Sequence, residues 1–287
     1  KKSENIQKRV IVCAGTGCVA NGALKVYQAF IDNLKKEHLD VITELKEETG
    51  EKSIFVSHSG CQGFCQMGPL VTIEPEGLFY TRVKPEHVMD IINHTLKNGE
   101  VIESLLYEDP STGKHCNRTS DIPFYRRQNR FVLKMCGLID PEDIKEYIAN
   151  GGYEGAKKAW TEMSPEAICE EILYSGLRGR GGGGFPTGKK WNLTGLASGE
   201  KKYVICNGDE GDPGAFMDRS VMEGNPHSVI EGLMIAARAT GADEAYIYVR
   251  AEYPLAVKRL KKAVSQAEEM ESWEKIFSAQ VKNLPVM

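Results

Sequence analysis

No run of about 18 apolar residues occurs in the 287-residue chain, so no transmembrane helix is expected. Neither charge is in clear excess: 36 Lys+Arg stand against 40 Asp+Glu, a formal net charge of −4. That near balance removes any compositional case for nucleic acid or an anionic membrane surface as partner. The opening stretch, Lys1 to Arg9, has no apolar h-region, so no secretory signal is expected. Internal repeats are lacking, and so are low-complexity tracts apart from one glycine cluster. Eight cysteines in 287 residues are too few for a small disulfide scaffold. A reduced, cytosolic chain that uses some thiols for metal or redox chemistry is the better reading.

What is there is globular in make-up: 41% hydrophobic and 26% charged residues, which excludes a disordered chain. At about 150 residues per domain, two domains or one large one are expected. In residues 1–105, Val10–Val12 is β-branched and runs into Cys13. Leu24, Tyr27, Phe30, Ile31 and Leu34 then recur at helical spacing. Ile54–Val56, Leu70–Ile73 and Leu78–Val83 read as strands parted by Gly and Pro. Pro85 opens a helix through Val88, Ile91, Ile92 and Leu96 that ends near Gly99. Residues 106–130 are hydrophilic and rich in turn formers, and read as a linker or extended arm. Residues 131–287 form a second domain. It has helices at Pro141–Ala149, Ser164–Tyr174, Pro226–Ala239 and Pro254–Met270, a buried strand at Tyr203–Cys206 and another strand at Ala245–Val249. Such alternation predicts βαβ units with a parallel sheet, hence an α/β class.

Two constellations carry chemistry. Cys13 and Cys18 are separated by four residues and Cys61 and Cys65 by three, both in loops of small residues. Four thiolates brought together suit an Fe–S cluster or zinc, and flanking glycines let backbone N–H groups approach bridging sulfides. Zinc ribbons usually keep two residues between ligands, so a [2Fe–2S] cluster is favoured over structural zinc. Four unrelated buried thiols are the bland alternative. The second constellation is Gly176 to Gly188, seven glycines in thirteen residues, followed by Lys189, Lys190 and Trp191. Glycine permits close backbone approach, and N–H groups with Arg and Lys nearby make an anion cradle. The spacing Gly179-x-Gly181-x-x-Gly184 matches a dinucleotide fingerprint by letter, yet it follows a predicted helix where the fingerprint follows a strand. A P-loop fails as well, because Lys190 occupies the Ser/Thr position that would hold magnesium. Downstream, the predicted strand at Tyr203 runs into Asn207, Asp209, Glu210 and Asp212, acceptors for ribityl or ribose hydroxyls at a strand end.

The pattern Cys-x₄-Cys, a long gap, then Cys-x₃-Cys before Met67-Gly68-Pro69 resembles the thioredoxin-like [2Fe–2S] ferredoxins. The resemblance implies Cys13, Cys18, Cys61 and Cys65 as ligands. Ser175 to Trp191 and Cys206 to Phe216 resemble the FMN- and NADH-binding flavoproteins of respiratory complex I. They also resemble the diaphorase subunits of soluble NAD(P)-linked [FeFe]-hydrogenases and formate dehydrogenases. Cys136 to Pro141, Gly151 to Tyr153, Asn225 to His227 and Tyr246 to Tyr253 fit the same family. The resemblance implies Gly179, Arg180, Gly181 and Gly182 at the FMN phosphate and ring edge, and Lys190 near the phosphates. It further implies Asn207, Asp209 and Glu210 on FMN, with Phe185 and Asp212 facing NAD(H) or NADP(H). Complex I members often carry Glu where this chain has the shorter Asp212. A ferredoxin domain ahead of the flavoprotein looks more like the soluble hydrogenase branch.

The fold expected is therefore an N-terminal thioredoxin-like domain followed by an α/β FMN-binding domain, truncated at its C-terminus. The resemblance stops near Met270, and a [4Fe–4S] cluster belongs to the part that would follow. The activity implied is hydride exchange between NAD(P)H and FMN, with one-electron transfer to Fe–S centres of partner subunits. The location implied is the cytoplasm, and family analogy adds an electron-bifurcating setting. Two alternatives stay open: a zinc-binding, non-catalytic assembly module on a degenerate nucleotide-binding fold, and a weaker NTP-binding reading.

Overall fold

The computed structural model describes residues 6–45 and 53–270. Two units divide the chain: Lys1–Asp143 with Glu223–Asn225, and Ile144–Met222 with Pro226–Met287. No helix among the described residues is long and apolar enough to cross a membrane.

The first unit is built on a five-stranded sheet in the order β2-β3-β1-β4-β5. The strands are β1 (Ile6–Cys13), β2 (Val41–Ile42), β3 (Ser53–Ser59), β4 (Val71–Glu74) and β5 (Leu78–Tyr80). β1 lies at the centre, parallel to β3 and antiparallel to β4. The short α1 (Thr16–Ala20) leads to α2 (Ala23–Lys36), whose Val26, Phe30 and Leu34 are fully buried against Val10, Val12 and Val56. That is the expected helical stripe meeting the expected strands. The predicted strand Leu78–Val83 stops at Tyr80, because Arg82 takes φ +50° and leaves the extended region. The helix opened by Pro85 passes from a 3₁₀ turn through α3 (Val88–Asp90) into a π-helical stretch, Ile91–Lys97, and Gly99 follows at φ +73°.

Residues 106–130 carry more structure than a bare arm. β6 (Tyr107–Asp109) and β7 (Lys114–Cys116) pair as a hairpin, and α4 (Pro123–Arg126) follows. Cys116 and Ile122 are buried in the core of the first unit, and Asn117 O accepts from Phe79 N at 2.8 Å. A few apolar residues spaced through a polar segment suffice to anchor it, which its average composition hides.

The second unit contains α5 (Ile144–Ala149), α6 (Glu154–Thr161), α7 (Pro165–Tyr174), α8 (Thr187–Leu196), β8 (Tyr203–Gly208), α9 (Met217–Gly224) up to Met222, α10 (Pro226–Thr240), β9 (Glu244–Val249) and α11 (Pro254–Glu268). β8 and β9 are parallel, and α10 between them packs on both, giving the expected βαβ crossover. Ser164 caps α7, its hydroxyl accepting from Ala167 N at 3.2 Å ahead of Pro165. The expectation that Tyr203–Cys206 is a buried strand is corrected: Ile205 is 65% and Tyr203 48% exposed. The strand pleat turns Val204 and Cys206 inward to the cluster holding Leu233, Ala245 and Leu260, and turns the alternate residues out.

Candidate functional site

The four thiols sit where β1 and β3 end. These strands are parallel neighbours with Cys13 opposite Ser59, so their following loops open side by side. The first loop enters α1 with Cys18, and the second carries Cys61 and Cys65. Glycine makes the approach possible. A Cβ on Gly15 would lie 2.6 Å from Cys61 Cβ, one on Gly17 3.1 Å from Cys65 Sγ, and one on Gly68 2.6 Å from Cys18 Sγ. Each loop therefore touches the cysteines of the other. The Cys61 and Cys65 sulphurs are 3.7 Å apart. Two thiolates bound tetrahedrally to one metal at about 2.3 Å would stand ~3.8 Å apart, so this pair is spaced for a shared ion. Cys13 and Cys18 form a second, hydrogen-bonded pair, which holds the Cys13 thiol below its usual range and pushes Cys18 up. The hydrogen bond with Cys65, and then burial, raise Cys61. Among the described residues no three His, Cys, Asp or Glu side chains are grouped as a single ion would need them. The thiols stand as two pairs, a donor set that fits two irons bridged by sulfide. Gly63 N donates to Cys61 Sγ at 3.3 Å, the type of contact that tunes such a centre. Exposure rises across the site: Cys13 and Cys18 are buried, Cys61 is half-buried and Cys65 exposed.

Of the other cysteines, two are held by backbone carbonyls. Cys116 donates to Asp121 O at 3.7 Å and Cys169 to Ala239 O at 3.8 Å. Burial raises the thiols of Cys116, Cys169 and Cys206.

In the second unit the glycine loop joins α7 to α8, so it follows a helix and opens another. Its base is stapled: Gly179 N donates to Phe185 O at 2.9 Å, Thr187 N to Leu177 O at 2.9 Å, and Arg178 Nε to Gly184 O at 2.7 Å. Its tip is open. A Cβ on Gly181, Gly182, Gly183 or Gly184 would meet nothing within 4 Å, and Gly182 and Gly184 have φ of +93° and +58°. Among the described residues no side chain caps α8, whose N-terminus faces the loop. Gly188 lets α8 cross α7 closely: its Cβ would lie 2.4 Å from Cys169 O and 2.5 Å from Leu173 N. Arg180, Phe185, Lys189 and Lys190 are exposed, with Lys189 Nζ 6.0 Å from the Phe185 ring centre. An uncapped helix start behind a glycine rim, with cations beside it, is a cradle that side chains would otherwise fill. It fits a phosphate-bearing cofactor.

The acidic turn leaves the C-terminal end of β8. Asn207 Oδ1 accepts from Asp209 N at 3.0 Å. Glu210 turns back to the start of α9, where its carboxylate accepts from Asp218 N at 3.1 Å and Arg219 N at 3.2 Å. Burial and the Glu210 charge raise the Asp218 carboxyl. Asp209 and Asp212 are exposed. Among the described residues no hydrogen bond, ion pair or ring contact joins the glycine loop to the acidic turn. α10 packs against both α8 and β8, and so supports both motifs.

Sequence reasoning missed Arg250. Its guanidinium donates to Glu210 O at 2.6 Å, lies 3.8 Å from Asp209 Oδ1 and rests over the Tyr253 ring. It also missed the shallow cleft of about 410 Å³ on the outer face of the β8–β9 sheet, lined by Ile205, Asn207, Asp209, Tyr246, Ile247 and Tyr248. The apolar run Tyr203–Cys206 gave no signal that one of its faces is open.

Residues 2–96 match the thioredoxin-like [2Fe-2S] ferredoxin family and residues 172–286 the Nuo51 FMN-binding domain. The second match runs past Met270, the end expected from the motifs, and that boundary is corrected. Residues 271–287 themselves lie outside the described structure. The NADP-reducing hydrogenase subunit HndC of Solidesulfovibrio fructosivorans is 53% identical over 144 residues, covering 50% of this chain and 29% of that protein. An NADH-quinone oxidoreductase subunit of Rhizobium meliloti is 46% identical over 138 residues, covering 48% and 33%. The solved thioredoxin-like [2Fe-2S] ferredoxin of Aquifex aeolicus is 30% identical, covering 34% of this chain and 87% of that one, with a TM-score of 0.28. The chain thus spans about a third of the length of the curated relatives it matches. Residues 2–96 belong to the thioredoxin-like [2Fe-2S] ferredoxin family and residues 172–286 to the Nuo51 FMN-binding family, and the chain joins the two.

Proposed function

We propose that this chain is the NAD(P)H-oxidising, FMN-binding part of a soluble multi-subunit oxidoreductase. The observation that carries the reading is the presence, in one chain, of a four-thiol site and an open glycine cradle, each within a domain of matching family. When bound, FMN supplies two-electron acceptance with release one electron at a time. The protein's part is binding and electrostatics, so no acid–base residue is assigned.

Cys13, Cys18, Cys61 and Cys65 would hold the [2Fe–2S] cluster. The N–H groups of Arg180, Gly181 and Gly182, with the α8 N-terminus and Lys190, would hold the FMN phosphate, and Gly179, whose N–H closes the loop base on Phe185 O, would set the rim beneath it. Asn207 and Asp209 offer acceptors to the flavin side chain, and Glu210 supports them by holding α9 and, through its carbonyl, Arg250. Phe185 and Asp212 would face the dinucleotide. The partners would be Fe–S subunits of a hydrogenase-like or formate-dehydrogenase-like complex in the cytoplasm, with bifurcation between NADH and ferredoxin as its setting. The ferredoxin domain is read as residues 1–105, with 106–130 as a connection to the flavin domain at 131–287.

An anaerobic visible spectrum with metal and acid-labile sulfide analysis tests this. Flavin and Fe–S bands that bleach with NADH or NADPH are expected, and the nucleotide that bleaches them identifies the donor. A colourless protein carrying zinc overturns the reading in favour of an assembly module.

A further inference from the structure

The loop bearing Cys61 and Cys65 is gripped from one side. Phe64, between these cysteines, stacks on Phe124 with ring centres 5.3 Å apart and meets Tyr107 and Tyr125 edge-on at 5.2 and 5.6 Å. Arg130 lies with its guanidinium 5.2 Å from the Tyr125 ring centre, and its Nη2 donates to the carbonyl of Gln62. A Cβ on Gly63 would come within 3.1 Å of that nitrogen. Tyr125 and Arg130 thus belong to the same patch as the cluster loop, although they lie beyond the part of the chain that the ferredoxin family covers.

Two polar atoms in this patch are out of balance. The Tyr125 hydroxyl and Arg130 Nε are both buried, and no group among the described residues pairs with either. An unpaired buried donor is costly, so such a group calls for a partner that is not protein. The Tyr125 phenol is raised above its usual range, chiefly by burial. Arg130 opposes the rise, and the charges of Cys13, Cys61 and Cys18 add to it. The hydroxyl is therefore within electrostatic reach of three of the four thiols.

We propose that Tyr125 and Arg130 are positioning residues for the cluster. The phenol donates a hydrogen bond toward its sulphur face, and the guanidinium is a fixed positive charge behind the 61–65 loop. This rests on the reading that the four cysteines hold a [2Fe–2S] centre. One-electron reduction adds one negative charge there, which a donated proton and a nearby cation both stabilise. Removing either shifts the couple toward the oxidised form.

The test is an anaerobic redox titration of the whole protein, reduced stepwise with dithionite and followed by electron paramagnetic resonance. At a fixed ambient potential, Tyr125→Phe is expected to lower the reduced-to-oxidised ratio about fivefold, the worth of one hydrogen bond. Arg130→Gln is expected to lower it roughly tenfold, and Arg130→Lys to recover most of that by keeping the charge. Arg127→Gln, an exposed arginine of the same segment, should leave the ratio unchanged. Wild type should show an exchangeable-proton hyperfine coupling in deuterium-exchange experiments that Tyr125→Phe lacks. An intact signal with unchanged ratio in Arg130→Gln, or with unchanged ratio and coupling in Tyr125→Phe, overturns the proposal and leaves the cluster assignment standing. If Arg130→Gln assembles no centre, Tyr125→Phe decides alone. A wild type that shows no [2Fe–2S] signal on reduction overturns both.

Discussion

Acidification should destabilise the second unit through one histidine. His227, at the start of α10, is 1% exposed. Its Nδ1 pairs with Tyr153 OH at 2.8 Å and its Nε2 with Gln266 Oε1 at 3.2 Å, while the Tyr147 ring stacks on it at 5.6 Å. The neutral Nε2–H tautomer satisfies both partners, with Tyr153 donating and Gln266 accepting. Burial pulls the imidazole down to about 4, against a partial opposing effect of Gln266. In the unfolded chain the group titrates near ~6.5. Between these values the unfolded state binds more protons, so stability is complete above about pH 6.5 and is lost as the pH falls toward 4. A gap of about 2.5 units at 1.36 kcal/mol each amounts to about 3 kcal/mol. The assay is urea unfolding at pH 7 and pH 4.5, read by tryptophan fluorescence. Trp160 and Trp191, two of the chain's three tryptophans, pack against the core of the second unit, so their signal reports it; the third, Trp273, lies outside the described residues. Carboxylates titrate in the same window, hence the comparison that matters is with His227→Gln. That variant should be weaker at pH 7 but lose about 2.5 kcal/mol less between pH 7 and pH 4.5, where most but not all of the gap is crossed. An equal loss in both proteins would refute the argument.

Other substitutions separate packing from capping. Gly188→Ala drives a methyl into the α7 backbone, and should cost roughly 2–3 kcal/mol in urea while weakening FMN retention by displacing the loop base. Glu210→Ala uncaps α9, at about 1–2 kcal/mol, and should let the Asp218 carboxyl fall toward its ordinary range in an NMR titration. Glu231→Ala removes the acceptor shared by Tyr147 OH at 2.5 Å, Tyr153 N at 2.9 Å and Ala156 N at 3.0 Å, and should cost about 3 kcal/mol by the same fluorescence assay.

The thiol pairs were legible from spacing, because close pairs in small-residue loops serve little else. Which glycine faces which cysteine was not, since it depends on the parallel register of β1 and β3, a pairing between distant segments. The position of the glycine loop after a helix was also readable, from the capping pattern at Ser164-Pro165. The exposure of Ile205 was hidden because an apolar run of four residues reads alike whether one face or both are covered. Glu210 shows a second limit. An acid in a turn signals a ligand contact and a helix cap equally, and only the later start of α9 tells that its oxygens serve the helix. The anchoring of 106–130 by Cys116 and Ile122 escaped notice for a related reason: two buried side chains scarcely alter a segment's average.

The stapled base and empty rim of the glycine loop have a consequence for mutational surveys. At Gly181 and Gly183 a methyl group meets nothing and requires no unusual backbone, so alanine there should leave abundance and melting untouched. At Gly182 and Gly184 the left-handed backbone adds a penalty of about 1 kcal/mol. A library scored for expression would thus pass most of the rim, while the same library scored for flavin retention would reject it. Subtracting the first map from the second would trace the footprint of the bound molecule without a ligand-bound structure.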